Sequence, residues 1–140
     1  NLIYREEERE MVPLCADLGV GVTPWSPLAR GLLARSPEGV NTPRRQQDPI
    51  IDRFYADTAE ADKAVIAAAT EIAEENDTNI ASIALAWLLH RPQVTAPIVG
   101  ATRSQHLKDA VTALTVTLSA DQLKRLESPY IPHALAELGA

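Results

Sequence analysis

The feature that most constrains this chain is how little of it can be strand. Only Val20-Gly21-Val22-Thr23-Pro24-Trp25 and Ala96-Pro97-Ile98-Val99 form the short runs of β-branched and small apolar residues that a buried strand needs. The order of elements is helix, strand, loop, helix, helix, strand, helix, helix, and such βα alternation argues for parallel strands joined by helical crossovers. Two parallel strands alone leave bare edges and little apolar cover. The expected class is α/β, mostly helical, with about two short parallel strands in this chain as part of a larger sheet.

The helices are read from periodicity and end signals. Glu6, Glu7, Glu8 and Glu10 open a helical segment that closes at Gly19, with Pro13 near the first turn or at a kink, and the acidic run reads as a solvated face. Asp57 and Glu60 have capping-box spacing and start a helix to about Glu75 that carries Val65, Ala68, Ala69, Ile72 and Ala73. Ile80, Ile83, Ala84, Trp87 and Leu88 mark a second amphipathic helix ending before Pro92, with Trp87 in the core. Thr102 and Gln105 suggest a box opening a helix with Leu107, Val111 and Leu114. Ser119 and Gln122 open a last helix bearing Leu123 and Leu126, which stops at Pro129 and leaves a tail without periodicity. Residues 26–56 read as one long loop rich in proline, with Arg30, Arg35, Arg44 and Arg45. For Arg44 and Arg45 a solvated insertion and a phosphate contact are both open.

Composition removes several classes of function. A formal charge of −6 opposes a general grip on nucleic acid or on an anionic membrane. No apolar run approaches the roughly 20 residues that span a bilayer, and no secretory pattern is present, so the expected address is cytoplasmic. The single cysteine, Cys15, and three scattered histidines give neither an internal disulfide nor zinc-site spacing. The chain begins at Asn1 without methionine, which suggests a processed form or an excerpt of a longer polypeptide.

Two strand-to-helix junctions hold the residue types that chemistry needs. At Trp25-Ser26-Pro27-Leu28-Ala29-Arg30-Gly31 a strand end delivers an aromatic face, a hydroxyl, a stiffened backbone and a guanidinium. At Gly100-Ala101-Thr102-Arg103 a glycine permits close backbone approach, a helix N-terminus offers amides, and an arginine can grip phosphate. Together they suit a nucleotide. Taken singly, the second junction reads as simple helix capping before it reads as a phosphate site.

Read in order, Asn1-Leu2-Ile3-Tyr4-Arg5, Met11-Val12-Pro13-Leu14-Cys15 with Gly19-Val20-Gly21-Val22, Trp25 to Leu32, Ala84-Leu85-Ala86-Trp87-Leu88-Leu89 and Pro97-Ile98-Val99-Gly100-Ala101-Thr102 closely resemble the C-terminal part of the aldo-keto reductase family. The resemblance covers essentially the whole chain, residues 1–140. It implies the C-terminal part of a (β/α)8 TIM barrel, NADP(H) bound at the C-terminal ends of the strands, and reduction of aldehydes or ketones.

Position by position, the resemblance implies that Trp25 stacks on the nicotinamide and that Ser26, Pro27, Leu28, Arg30 and Gly31 fold over the pyrophosphate. Gly100, Thr102 and Arg103 match the segment around the adenosine 2′-phosphate, His106 a polar group near it, and Asp109 an acid near the adenine amine. Ala110 stands where many members carry an asparagine, so one expected adenine contact is missing. The family's catalytic aspartate, tyrosine, lysine and histidine come from the N-terminal half of the barrel, and none has a counterpart here. Tyr4, Tyr55, Tyr130, His90 and His133 fall in the wrong segments. The expected function is an NADP(H)-dependent oxidoreductase of small-molecule carbonyls to which this chain supplies the cofactor-binding portion. The alternative is a non-catalytic, truncated or regulatory relative that binds nucleotide or a protein partner. A chain of this length alone is expected to self-associate or to pair with an N-terminal fragment.

Overall fold

The computed structural model describes residues 1–34 and 49–134. The expectations for Arg35, Arg44 and Arg45 lie outside the described residues. Six α-helices are described: α1 Met11–Asp17, α2 Pro49–Tyr55, α3 Ala59–Glu75, α4 Ile80–Leu89, α5 Ser104–Thr112 and α6 Ala120–Glu127. A short 3-10 turn stands at Glu6–Glu8, and Ala29–Gly31 form a tight turn with left-handed backbone.

Local chemistry explains most of the helix ends. Gly19 (φ 66°) closes α1 in a Schellman arrangement, with Gly19 N–H on the Ala16 carbonyl at 3.3 Å and Val20 N–H on the Cys15 carbonyl at 2.8 Å. Pro13 is the third residue of α1, where no intrahelical donor is lost. The acidic run belongs to the preceding 3-10 turn and not to the first turn of α1, and Glu6 within it is buried. Asn79 caps α4 by accepting from Ser82 N–H. Ser119 and Gln122 form the expected reciprocal capping box on α6.

Two expected boxes do not form. Thr58, rather than Asp57, precedes α3, and its hydroxyl donates to Asp62 instead of capping an amide. Arg103 is the N-cap residue of α5, without a side-chain cap, while Gln105 donates to Asp109. Within the segment expected to be one loop, α2 starts at Pro49, and proline suits a first helical position because its missing N–H has no intrahelical use there.

Among the described residues the first expected strand is reduced to one bridge residue, Val22, whose parallel partner Val94 precedes the second expected strand, and residues 96–99 form no bridge. Val22 N–H donates to the Gln93 carbonyl at 2.7 Å and Thr95 N–H to the Val22 carbonyl at 2.8 Å. The next rung of a parallel ladder would need donors at positions 24 and 97, and both are proline. Upstream, Val20 N–H is taken by the cap of α1. The pair continues only through Ile98 N–H on the Pro24 carbonyl, at 3.0 Å.

The core gathers around α4. Ile80 to Leu88 are buried on every side, so this helix is not amphipathic as its spacing suggested. Val65, Ala69 and Ile72 of α3, Leu126 of α6, and Leu2, Ile3 and Leu33 belong to the same buried cluster. Trp87, 1% exposed, donates its indole N–H to Glu127 and lies under the guanidinium groups of Arg5 and Arg91. Among the described residues no helix is long and apolar enough to cross a membrane.

Candidate cofactor-binding site

The bridge fixes where the two junctions lie. Val22 and Val94 pair in parallel, and Ile98 N–H reaches the Pro24 carbonyl, so Trp25-Ser26 and Val99-Gly100 leave the same end of the paired segments. This is the end where parallel α/β folds place ligands.

The first junction is wound tightly. Ser26, Ala29 and Arg30 have φ of 52°, 48° and 57°, and Gly31 follows at 101°. Left-handed non-glycine residues cost roughly 1–2 kcal/mol each and persist where surrounding contacts over-determine them. Those contacts are present. Arg30 N–H donates to Ser26 Oγ at 3.1 Å, Ala29 N–H to the Ser26 carbonyl at 2.9 Å, and Gly31 N–H to the Leu28 carbonyl at 2.9 Å. Pro27, Ala29, Leu32 and Leu33 anchor the loop from beneath by burial, and the Asn1 side-chain amide donates to the Ser26 carbonyl. The amides of Ala29, Arg30 and Gly31 are thus engaged within the loop, whereas the Ser26 hydroxyl uses a lone pair and not its proton in the bond to Arg30.

Trp25 is 55% exposed, with the Arg30 guanidinium 5.6 Å from its ring centroid and the Phe54 ring at 6.4 Å. Trp25 and Ser26 open onto a cavity of about 710 Å³ that Tyr4, Phe54, Tyr55 and Trp87 also line. Burial pushes the Tyr55 hydroxyl up to about 12, and that hydroxyl accepts from the Asn1 side chain at 3.0 Å.

The second junction is open. Gly100, Thr102, Arg103 and His106 are all exposed, and a Cβ built on Gly100 would meet nothing within 4 Å. None of these four lines the Trp25 cavity. Asp109 is half-buried; its Oδ1 accepts from Asn79 at 3.0 Å and Gln105 at 2.8 Å, which ties α5 to the start of α4. The structure therefore brings Trp25, Ser26 and Arg30 into mutual contact, sets Gly100 to His106 on the surface at the same end, and engages Asp109 with other protein groups.

The residues fit a nucleotide on three counts: a half-exposed indole face, open space above Gly100, and a nine-residue helix whose N-cap residue supplies no side-chain cap. Among the described residues no group of acidic, histidine or cysteine side chains could hold a metal ion.

One buried polar cluster was not legible in the sequence. Glu6 Oε1 accepts from the Tyr130 hydroxyl at 2.6 Å and from His133 N–H at 2.8 Å, while the His133 ring meets Asp62 at 3.0 Å. Burial pushes the Glu6 carboxyl up, but the bonds from Tyr130, His133 and Arg9 outweigh it and hold the group below its ordinary value. Tyr130 shifts upward through burial and its bond to Glu6. Isolated polar residues in an aperiodic tail and in a glutamate run carry no pattern that pairs them.

The sequence profile of the aldo/keto reductase family matches residues 1–131. The chain belongs to that family. It is 42% identical over 136 residues to versiconal hemiacetal acetate reductase of Aspergillus parasiticus, covering 96% of this chain and 39% of that protein. An aldo-keto reductase of Metarhizium robertsii is 40% identical over 136 residues, covering 96% of this chain and 36% of the relative. Among solved structures, a thermostable aldo-keto reductase crystallised with the inhibitor epalrestat matches with a TM-score of 0.61 at 27% identity, over 92% of this chain and 37% of that one. The chain thus spans less than two fifths of the length of these three proteins. The fold is accordingly part of the family's α/β barrel, mostly helical here.

Proposed function

We propose that this chain supplies the cofactor-binding portion of a cytoplasmic NADP(H)-dependent oxidoreductase that reduces aldehydes or ketones to alcohols. The observation that supports this reading is the shared end of the paired segments, from which both junctions leave beyond the Ile98–Pro24 bond. Bound NADPH would supply hydride to the carbonyl carbon. Trp25 offers its face to the nicotinamide. Ser26, Pro27, Leu28, Arg30 and Gly31 form the loop over the pyrophosphate, with the Ser26 hydroxyl proton as its most available donor. Gly100, Thr102, Arg103 and His106 surround the 2′-phosphate at the start of α5, and Asp109 faces the adenine. No residue of this chain is assigned a catalytic role, and none is assigned to nucleic acid.

Titrating NADPH against the fluorescence of Trp25 tests binding. Arg103→Ala should weaken NADPH about ten-fold or more and NADH little, as expected when one charge-assisted bond to phosphate is lost. Equal weakening of both removes the 2′-phosphate assignment.

A second reading rests on a different observation. Met11, Leu14 and Leu18 of the α1 segment and Leu107, Val111 and Leu114 of the α5 segment are exposed. These faces suit a protein partner, either a second copy or an N-terminal fragment, in a chain that binds nucleotide without turnover. Carbonyl reduction by the 140-residue chain alone, at a rate set by NADPH, would exclude that second reading.

A further inference from the structure

His133 is 5% exposed and sits in the buried cluster beneath the aromatic wall of the cavity. Its ring meets only acceptors. Nε2 lies 3.0 Å from Asp62 Oδ1, while Nδ1 lies 3.2 Å from the Phe54 carbonyl and 3.1 Å from Thr58 Oγ1. Thr58 already donates its one hydroxyl proton to Asp62 Oδ2, so toward His133 it can only accept. A neutral imidazole carries a single N–H and would turn a lone pair onto either the carboxylate or the carbonyl. The imidazolium satisfies both sides.

The surrounding charges agree. Asp62 faces the ring from α3, and Glu6 takes the His133 backbone N–H from the 3-10 turn, with Arg9 3.4 Å behind it. Tyr130 stacks on the ring at 5.9 Å, and Tyr4 and Tyr55 meet it edge-on at 5.3 Å and 6.3 Å. Two buried carboxylates are matched by one arginine and one imidazolium, and the balance fails when His133 loses its proton.

We propose that His133, held as an imidazolium, is a positioning residue for the cofactor site: it clamps the Phe54 carbonyl at the end of α2 to α3 and to the tail, and so holds the Phe54 ring beside Trp25. The ring-to-ring path is short, because Phe54 stands 5.3 Å from Tyr4 and 6.4 Å from Trp25. The clamp itself is independent of the nucleotide, and only its effect on NADP(H) rests on the proposed function. Burial pulls the imidazole down, but the bond and charge of Asp62 outweigh it and hold His133 above 6.5. A raised value means that the clamp is complete below about 6.5, the unfolded value, and is lost as pH rises through the folded midpoint.

The test uses the full chain in two measurements. Nitrogen-edited NMR of the imidazoles without cofactor should show His133 with two ring protons at about pH 7, above the ordinary histidine value. A singly protonated His133 ring at that pH overturns the proposal. Acrylamide quenching then follows Trp25, because Trp87 is only 1% exposed. Quenching should rise as His133 deprotonates, H133Q should quench at the high level at every pH, and D62N should move the step to lower pH, a displacement that mere loss of packing would not cause. Above the step, NADPH affinity should fall about five-fold, the low end of ordinary coupling between sites. Quenching that is identical in H133Q and the parent at every pH, with both folded by circular dichroism, overturns the clamp. If H133Q does not fold, D62N decides, and an unmoved step overturns it. A quenching step in a protein that binds NADPH at no pH supports the clamp and rejects the cofactor reading.

Discussion

Helices α4 and α5 carry similar apolar spacing in the sequence but occupy opposite situations. From Ile80 to Leu88, α4 is buried all round, whereas Leu107 and Val111 of α5 are 56% and 55% exposed and Leu114, just beyond it, 70%. The reason lies on the other side of α5. Ser82 Oγ donates to the Asp109 carbonyl at 2.9 Å, Asn79 donates to the Asp109 carboxylate, and Ala113 is buried, so α5 is held by small and polar groups and turns its apolar stripe outward. Periodicity thus identifies the side of a helix that gains from cover, and tertiary contacts decide whether this chain supplies it.

The contrast can be broken most directly in the closed region. Trp87→Ala should cost about 3–5 kcal/mol in urea unfolding, through the cavity it leaves and the loss of its bond to Glu127. A loss below about 1 kcal/mol, the size of an average substitution, would mean that α4 is not the centre of the core. Next in size, Glu6→Ala should cost about 2 kcal/mol by stranding the Tyr130 hydroxyl and the His133 amide. Because the Glu6 carboxyl is held below its ordinary value of 4.5, this contribution is present above that value and is lost as pH falls through the folded one. Equal acid sensitivity of parent and variant in melts at falling pH would contradict it. Ser119→Ala should cost about 1 kcal/mol by removing the reciprocal cap of α6.

The smallest stability effect belongs to the open region. Leu107→Ala should change monomer stability by no more than about 0.5 kcal/mol. In sedimentation, however, the parent should associate with rising concentration and Leu107→Lys should associate less. A parent that remains monomeric throughout would end the view that α5 presents a docking face.

Local signals were readable and distant pairings were not. The α6 box, the Gly19 stop and the extent of α3 and α4 depend on residues within one or two turns. Pro49 starts α2, but the prolines around it make residues 26–56 read as one loop in the sequence. Thr58, not Asp57, stands at the N-cap position of α3 and makes no side-chain cap, a one-residue difference that composition does not resolve. The cluster of Glu6, Asp62, Tyr130 and His133 spans sequence separations of 71 and more, so no window contains it. At the candidate site the residue types were readable one junction at a time. The left-handed turn at Ser26 and the internal use of its amides depend on tertiary anchoring by Asn1, Leu32 and Leu33.

Pro24 and Pro97 also act as a ruler. With no rung possible between them, the two segments slip by one residue before Ile98 meets Pro24, and one residue of extended backbone measures about 3.3 Å. The offset at which the Trp25 and Val99 ends leave the pair is therefore gauged by two missing hydrogens. Restoring one, as in Pro97→Ala, offers the chain a different calibration of that offset without touching either end.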